Sequence, residues 1–218
     1  MELSALSSGG RVCWLIAAFC LVAYFVLWVA VAVADGGPLA FDEAIYQAIS
    51  VDLRSEWLTL VMTNITMLGT AVPMTAMIVV LIAFTPHRRE GWYCAVSAIL
   101  VRLLNELLKA LAARPRPDES LWLVNETGLS FPSGHTMNAV ALFGLFAWFV
   151  WRSDHPRWLR ILLCAVFVLV AALVGVSRVY LGVHYASDVL AGACVSVAWL
   201  VIYTRCICYI EVRWPTAS

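Results

Sequence analysis

The sequence predicts an all-α fold, a polytopic membrane helix bundle of six transmembrane spans with one short interfacial helix, built as a single domain over residues 1–218. Three observations point there. Hydrophobic residues make up 63% of the 218 and charged residues only 13%, with a mean hydropathy of +0.88, outside the balance of a soluble domain. The apolar residues gather into six runs, the longest matching the roughly 20 residues that a helix needs to cross a bilayer core. No internal repeat or low-complexity linker divides the chain. Net charge is zero, so no basic surface invites nucleic acid, and the placement of charge matters more than its total.

The first span covers 13–34. Ala32-Val33-Ala34 has the look of a cleavage site, yet the apolar region is too long for a signal peptide and only Arg11 precedes it, so it reads as an anchor. Residues 35–56 carry five acids, with Leu39, Phe41, Ile45 and Ile49 near the helical period, which suits a short helix lying in the interface. The second span, 57–84, contains Gly69 and Pro73 and tolerates a kink there if neighbours satisfy the freed carbonyl. A basic turn, His87-Arg88-Arg89-Glu90, leads to the third span at 91–113. A polar loop over 114–134, with Trp122 as an interface anchor, leads to the fourth span at 136–151. The turn at 152–157 precedes the fifth span, 159–176, and a charged stretch at 177–188 precedes the sixth, 189–203.

Six spans put both termini on one side, together with Arg88, Arg89, Arg152, Arg157, Arg160, Arg205 and Arg213. That side is cytoplasmic by the positive-inside rule, and the loops at 114–134 and 177–188 face outward. The seven cysteines fall in apolar runs or the C-terminal tail, so no disulfide framework is implied. Cys206 and Cys208 form a lone C-x-C without partner ligands and read as packing residues.

Charges within the spans need a reason, since each costs a few kcal/mol there. Arg102, Glu106 and Lys109 form one stripe at i, i+4 and i+7, beside Asn105; Arg102 and Glu106 can offset each other as a structural bridge between helices. Lys109 is the only lysine, and Arg114 and Arg116 follow it, with Pro115 and Pro117 fixing the chain's exit. Arg114 is well explained by snorkelling to lipid phosphates, but a buried Lys109 beside Arg116 needs another anion. In 131–135, Phe-Pro-Ser-Gly-His, Ser133 is a candidate N-cap, Gly134 permits close backbone approach, and the helix start aims N–H groups at an anion. His135 stands at the rim, placed to hand a proton to a departing oxygen. In 177–188, His184 and Asp188 are four apart, so a carboxylate can hold one ring nitrogen while the other faces a substrate. Arg178 lies about 120° round the helix from His184, and Gly182 permits the bend that brings them together. Alone, the motifs at 131–135 and 177–188 each also read as an ordinary turn and cap, and the cations at 109–116 as lipid-phosphate contacts.

Together they do not. Lys-x6-Arg-Pro at 109–117, Pro-Ser-Gly-His at 132–135 and Ser-Arg-x5-His-x3-Asp at 177–188 occur in this order, each at the outward end of a span. The chain resembles the type 2 phosphatidic acid phosphatase superfamily, in all three motifs without a substitution and in the six-span plan. From the residues, phosphoryl transfer at the outer membrane surface is expected. The resemblance implies the roles: His184 as nucleophile forming a phosphohistidine, Asp188 orienting it, and His135 as acid and then base. Lys109, Arg116, Ser133, Gly134 and Arg178 then bind the phosphoryl oxygens. Neither a metal nor a cofactor is expected, and no His, Cys or carboxylate set is spaced for a metal.

The expected substrate is a lipid phosphate or diphosphate in the bilayer: undecaprenyl diphosphate, phosphatidylglycerophosphate or phosphatidate. Lipid A 1-phosphate, or transfer to a second lipid, are the alternatives. A soluble haloperoxidase, also in that superfamily, is excluded by the composition. A transporter is disfavoured because the charges sit at one face rather than at several depths. The expected location is a plasma membrane, the bacterial inner membrane, with the site facing the periplasm or exterior. No segment specifies an oligomeric partner.

Overall fold

The computed structural model describes residues 2–84 and 89–213, and all regular elements among them are helical. In chain order they are α1 (Glu2–Val33), α2 (Ala40–Tyr46) running into a single wide turn (Gln47–Val51), α3 (Glu56–Met67), α4 (Ala71–Phe84), α5 (Arg89–Ala112), α6 (Gly134–Arg152), α7 (Arg157–Tyr180) and α8 (Ala186–Arg213). Residues 87 and 88 of the expected basic turn lie outside the described residues; Arg89 and Glu90 open α5. The last helix runs ten residues past the expected sixth span, carrying Arg205 and Arg213 on its final turns.

The molecule is a multi-pass membrane helix bundle. Among the described residues, four helices are long and apolar enough to cross a bilayer: Gly10–Val33, α6, α7 and α8. The pair α3 and α4 makes a fifth if counted as one span bent by 51°. That bend falls at residues 68–70, beside Gly69, while Pro73 sits in the first turn of α4, where its missing N–H breaks no helical bond. Helix α5 has the length of a span, 24 residues, but Arg102, Asn105, Glu106 and Lys109 make its C-terminal half polar.

Helix α6 is the hub. It packs on α5, α7 and α8, while α1 lies on α8, α3 on α7 and α4 on α5. Its position explains its sequence: Met137, Ala139, Ala141, Leu142, Phe143 and Leu145 are all buried, so it is apolar nearly all round. The alanines allow the close helix approach on which packing in lipid depends.

The segment before α3 contains the expected short helix. Asp42 in its first turn is buried, and the segment is fastened to the C-terminal end of α7. Ser50 Oγ donates to the Val179 carbonyl at 2.7 Å, and the Tyr180 hydroxyl meets Thr59 Oγ1 at 3.0 Å and the Ser55 backbone. The chain ends that matter for function, the C-termini of α5 and α7 and the N-termini of α6 and α8, therefore share one braced end of the bundle.

Candidate active site

Helix α5 stops at Ala112, and Ala113 follows in the left-handed conformation with φ +48°, a common way to end a helix. The turn sends Arg114 inward. Contrary to the lipid-phosphate assignment, its side chain is fully buried, because the fold supplies an acceptor for every N–H. Nη1 donates to Asp188 Oδ1 and Ser187 Oγ, both at 2.7 Å; Nη2 donates to Asp42 Oδ2 at 3.2 Å and the Gly37 carbonyl at 2.7 Å; Nε donates to the Gly36 carbonyl at 3.2 Å. These five bonds use all five donors of a guanidinium. The Tyr185 ring lies 4.1 Å from the guanidinium carbon. Ser187 completes the cluster, donating to Asp42 through both its N–H and its hydroxyl at 2.7 Å.

Asp188 is thereby held from both sides. Its Oδ2 accepts from Ser130 Oγ at 2.5 Å and from the Tyr185 N–H at 2.9 Å, and lies 3.3 Å from His184 Nδ1. His184 sits in the turn before α8 rather than on the helix, and is buried. Gly182 makes the turn with φ +75°, and a Cβ there would strike the Leu121 carbonyl oxygen. On the far side of the ring, Nε2 lies 3.0 Å from Arg116 Nη1. A guanidinium only donates, so Nε2 holds the lone pair and Nδ1 the proton, directed at Asp188 and Ser130. Burial pushes the His184 pKa well below the ordinary value, and Arg116, Arg178 and Lys109 repel its protonated form further. A neutral imidazole with its lone pair on Nε2, here accepting from Arg116, is the form that can attack an electrophile once that hydrogen bond is exchanged.

At the start of α6, Ser133 occupies the N-cap position but does not cap through its side chain; its Oγ accepts from Thr136 Oγ1 at 3.0 Å instead. A Cβ on Gly134 would lie 2.8 Å from Asn105 Oδ1, so glycine here lets α5 approach α6, with Asn105 Nδ2 bonding the Pro132 carbonyl at 3.1 Å. A cavity of about 560 Å³ opens at this point, lined by Lys109, Arg116, Glu126, Gly134, His135 and His184 among others. Arg102 and Glu106 also reach it, paired at 3.0 Å along one helix and exposed, not bridging two helices as expected. Ser133, Arg178 and Asp188 stand behind the wall.

Glu126 connects the cations. Its Oε1 pairs with Arg178 Nη2 and lies 3.9 Å from His135 Nε2, and its Oε2 lies 3.5 Å from Arg116 Nη2. Burial opposes its charge, but Arg178 and its neighbours outweigh that and hold the carboxyl below its ordinary range. Arg178 is buried, also donating to Thr66 Oγ1 at 2.9 Å. Burial likewise lowers the Arg116 pKa, opposed by Glu126 and Asp188. Trp122, expected at the interface, is tied into the loop by a 2.9 Å bond to the Pro117 carbonyl.

Sequence reasoning missed Asp42, Arg114, Ser130, Ser187 and Glu126. One signal was present: three cations converging near one surface need counter-anions even when no ligand is bound, and Glu126 lies in the loop between two of the motifs. Asp42 and Ser130 carried no local signal.

Comparison with known proteins places these motifs in context. The sequence profile of the PAP2 superfamily matches residues 90–210. Phosphatidylglycerophosphatase B of Bacillus subtilis is 39% identical over 176 residues, covering 77% of this chain and 84% of that protein. An undecaprenyl-diphosphatase of Sulfolobus acidocaldarius is 32% identical over 133 residues, covering 56% of this chain and 55% of that protein. A crystal structure of a transmembrane PAP2-type phosphatidylglycerolphosphate phosphatase from Bacillus subtilis superposes with a TM-score of 0.75 at 32% identity, covering 89% of this chain and 96% of that one.

Proposed function

We infer, for a chain that belongs to the PAP2 superfamily, an integral membrane lipid phosphatase that removes a terminal phosphate through a phosphohistidine on His184. The observation that carries the reading is the His184 ring: its proton is directed at Asp188, and its Nε2 lone pair faces a cation-lined cavity.

In the first step the Nε2 lone pair attacks phosphorus and the bond to the lipid oxygen breaks. Asp188 stabilises the imidazolium that develops and is itself fixed by Arg114. Lys109, Arg116, Arg178, the Ser133 hydroxyl and the free N–H groups at the Gly134 end of α6 hold the phosphoryl oxygens, where transition-state charge spreads. His135 donates a proton to the leaving lipid alkoxide. In the second step His135 takes a proton from water, the water oxygen attacks phosphorus, the P–N bond breaks, and inorganic phosphate leaves with His184 neutral again. No metal takes part in either step.

The whole chain is one phosphatase domain with six spans, α5 providing the third. Its polar outer half is tolerated because Lys109 and Asn105 face the site and Arg102 pairs with Glu106. The site faces the exterior of the plasma membrane, the periplasm of a bacterial inner membrane. Phosphatidylglycerophosphate is the favoured substrate, supported by the name of the Bacillus subtilis relative. Undecaprenyl diphosphate is the second, supported by the Sulfolobus relative.

Phosphate release by protein purified in detergent tests both, using phosphatidylglycerophosphate, undecaprenyl diphosphate, phosphatidate and lipid A, with His184→Ala as control. Preference for one lipid, lost in the variant, is expected. No release from any lipid would refute the hydrolase, and label passing from one lipid to another would make it a phosphotransferase.

A further inference from the structure

The seat built for a phosphoryl group is already occupied. Glu126 sets one carboxylate oxygen against Arg178 and beside His135, and the other toward Arg116. Those three residues are the ones assigned above to a phosphoryl oxygen or to the leaving group. The fit is incomplete in a way that points to a larger anion. Arg178 Nε is buried without a hydrogen-bond partner, and Lys109 lines the same cavity with no ion-pair partner among the described residues. A planar carboxylate offers two oxygens, whereas a phosphoryl group offers three equatorial ones.

Glu126 is also placed to leave. Its side chain is 21% exposed, against 1% for Arg178, and it lies in the irregular stretch between Leu121 and α6. The next two residues are held through the carbonyls of Thr127 and Gly128, which accept from Arg116. Gly128 has φ +77° with nothing within 4 Å of a Cβ, so the loop has room beside it.

We propose that Glu126 is a built-in occupant of the phosphoryl seat, pairing with Arg178 and Arg116 when no phosphate is bound, displaced as substrate enters, and returning to expel inorganic phosphate. The proposal rests on the phosphatase reading above and adds a reason for selectivity. Buried cations are costly without a counter-charge, and Glu126 supplies one in the resting protein. Any anion entering the seat must then replace an existing ion pair rather than fill a vacancy. A lipid phosphate brings additional binding from its anchored tails to do so, and free phosphate does not. Glu126 therefore biases the site against its own product.

Two measurements on the full-length protein test this. The first compares inhibition of lipid hydrolysis by inorganic phosphate in wild type and Glu126→Gln. The variant is expected to bind phosphate roughly tenfold more tightly, since an amide keeps the shape but pairs weakly with Arg178, and its KM for the lipid falls as well. Unchanged or weaker phosphate inhibition with a reduced kcat would overturn the proposal and make Glu126 a fixed positioning residue for Arg178 and His135. The second measurement, a crystal structure of wild type with orthovanadate, does not depend on the variant folding. Glu126 is expected to have left Arg178, with a vanadate oxygen on the Arg178 guanidinium. Glu126 still bonded to Arg178 beside the bound anion would overturn displacement even if the variant binds phosphate more tightly. Wild type that hydrolyses lipid but fails these tests refutes the role of Glu126 alone. Wild type that neither hydrolyses lipid nor binds phosphate refutes the phosphatase reading, and this proposal with it.

Discussion

The two sides of the His184 ring are built on opposite principles. On the Nδ1 side, Asp188, Ser130, Arg114, Ser187 and Asp42 form a closed network in which each donor of Arg114 is used and both carboxylates are buried. On the Nε2 side, Arg116, Lys109 and Glu126 line an open cavity with Arg178 buried behind it, its Nε unpartnered among the described residues. The closed side fixes where the His184 ring stands, and the open side leaves cations without full pairing beside the cavity. A satisfied network is rigid and costly to break, whereas a partly satisfied one can exchange its partner. Changes on the closed side should therefore cost stability first, and changes on the open side should cost turnover with the fold intact.

Arg114→Ala is the largest test of that contrast. It leaves two buried carboxylates without their cation, a loss of about 3–5 kcal/mol, and the variant is expected to unfold at much lower temperature in detergent or fail to accumulate. A stable Arg114→Ala protein would break the comparison. Arg116→Ala should do the reverse, melting near wild type while kcat falls by about 10²–10³, the usual cost of removing one preorganised transition-state donor. Equal losses of stability in the two variants would erase the distinction between the sides.

What the sequence showed and hid divides along the same line. The open side was legible, because Lys109, Arg116, His135 and Arg178 sit in contiguous motifs at helix ends, where charge is conspicuous against apolar runs. The long helices were legible for the same reason, most of their ends to within a few residues. The closed side was not. Arg114 meets Asp42 from 72 residues away, and Ser130 meets Asp188 across 58, distances over which helical periodicity carries no information. Asp42 reads locally as an ordinary acid in the first turn of a helix, and Arg114, next to a proline at a membrane surface, reads as a snorkelling side chain. Only the left-handed turn at Ala113, a conformation that alanine rarely signals, directs Arg114 inward.

Smaller effects sharpen the picture. Ser130→Ala removes one hydrogen bond to a buried carboxylate, a loss of about 1.5–3 kcal/mol. It should lower kcat more than it raises KM, because Ser130 touches the Asp188–His184 pair and does not line the cavity. A change confined to KM would instead place it at the substrate. The pH profile checks the electrostatics of the ring. Because burial lowers the His184 pKa, its neutral, nucleophilic form persists into more acid solution than for an ordinary histidine. The acid limb of kcat/KM assigned to His184 should therefore fall below about pH 6.5, and a limb at or above it would contradict the buried, cation-flanked ring. Smallest of all, Ala113→Gly relieves a left-handed alanine and should raise stability by at most about 1 kcal/mol, read as a slightly higher melting temperature with unchanged kcat.

The central claim, that the Nε2 lone pair of His184 takes the phosphoryl group, is tested most directly by rapid acid-free quenching of the protein during turnover of a lipid labelled in its terminal phosphate. The expected result is a phosphoenzyme that is stable in alkali and lost in acid, that maps to His184, and that is absent together with turnover in His184→Ala. Phosphate release by His184→Ala near the wild-type rate, or label found on another side chain, would contradict it.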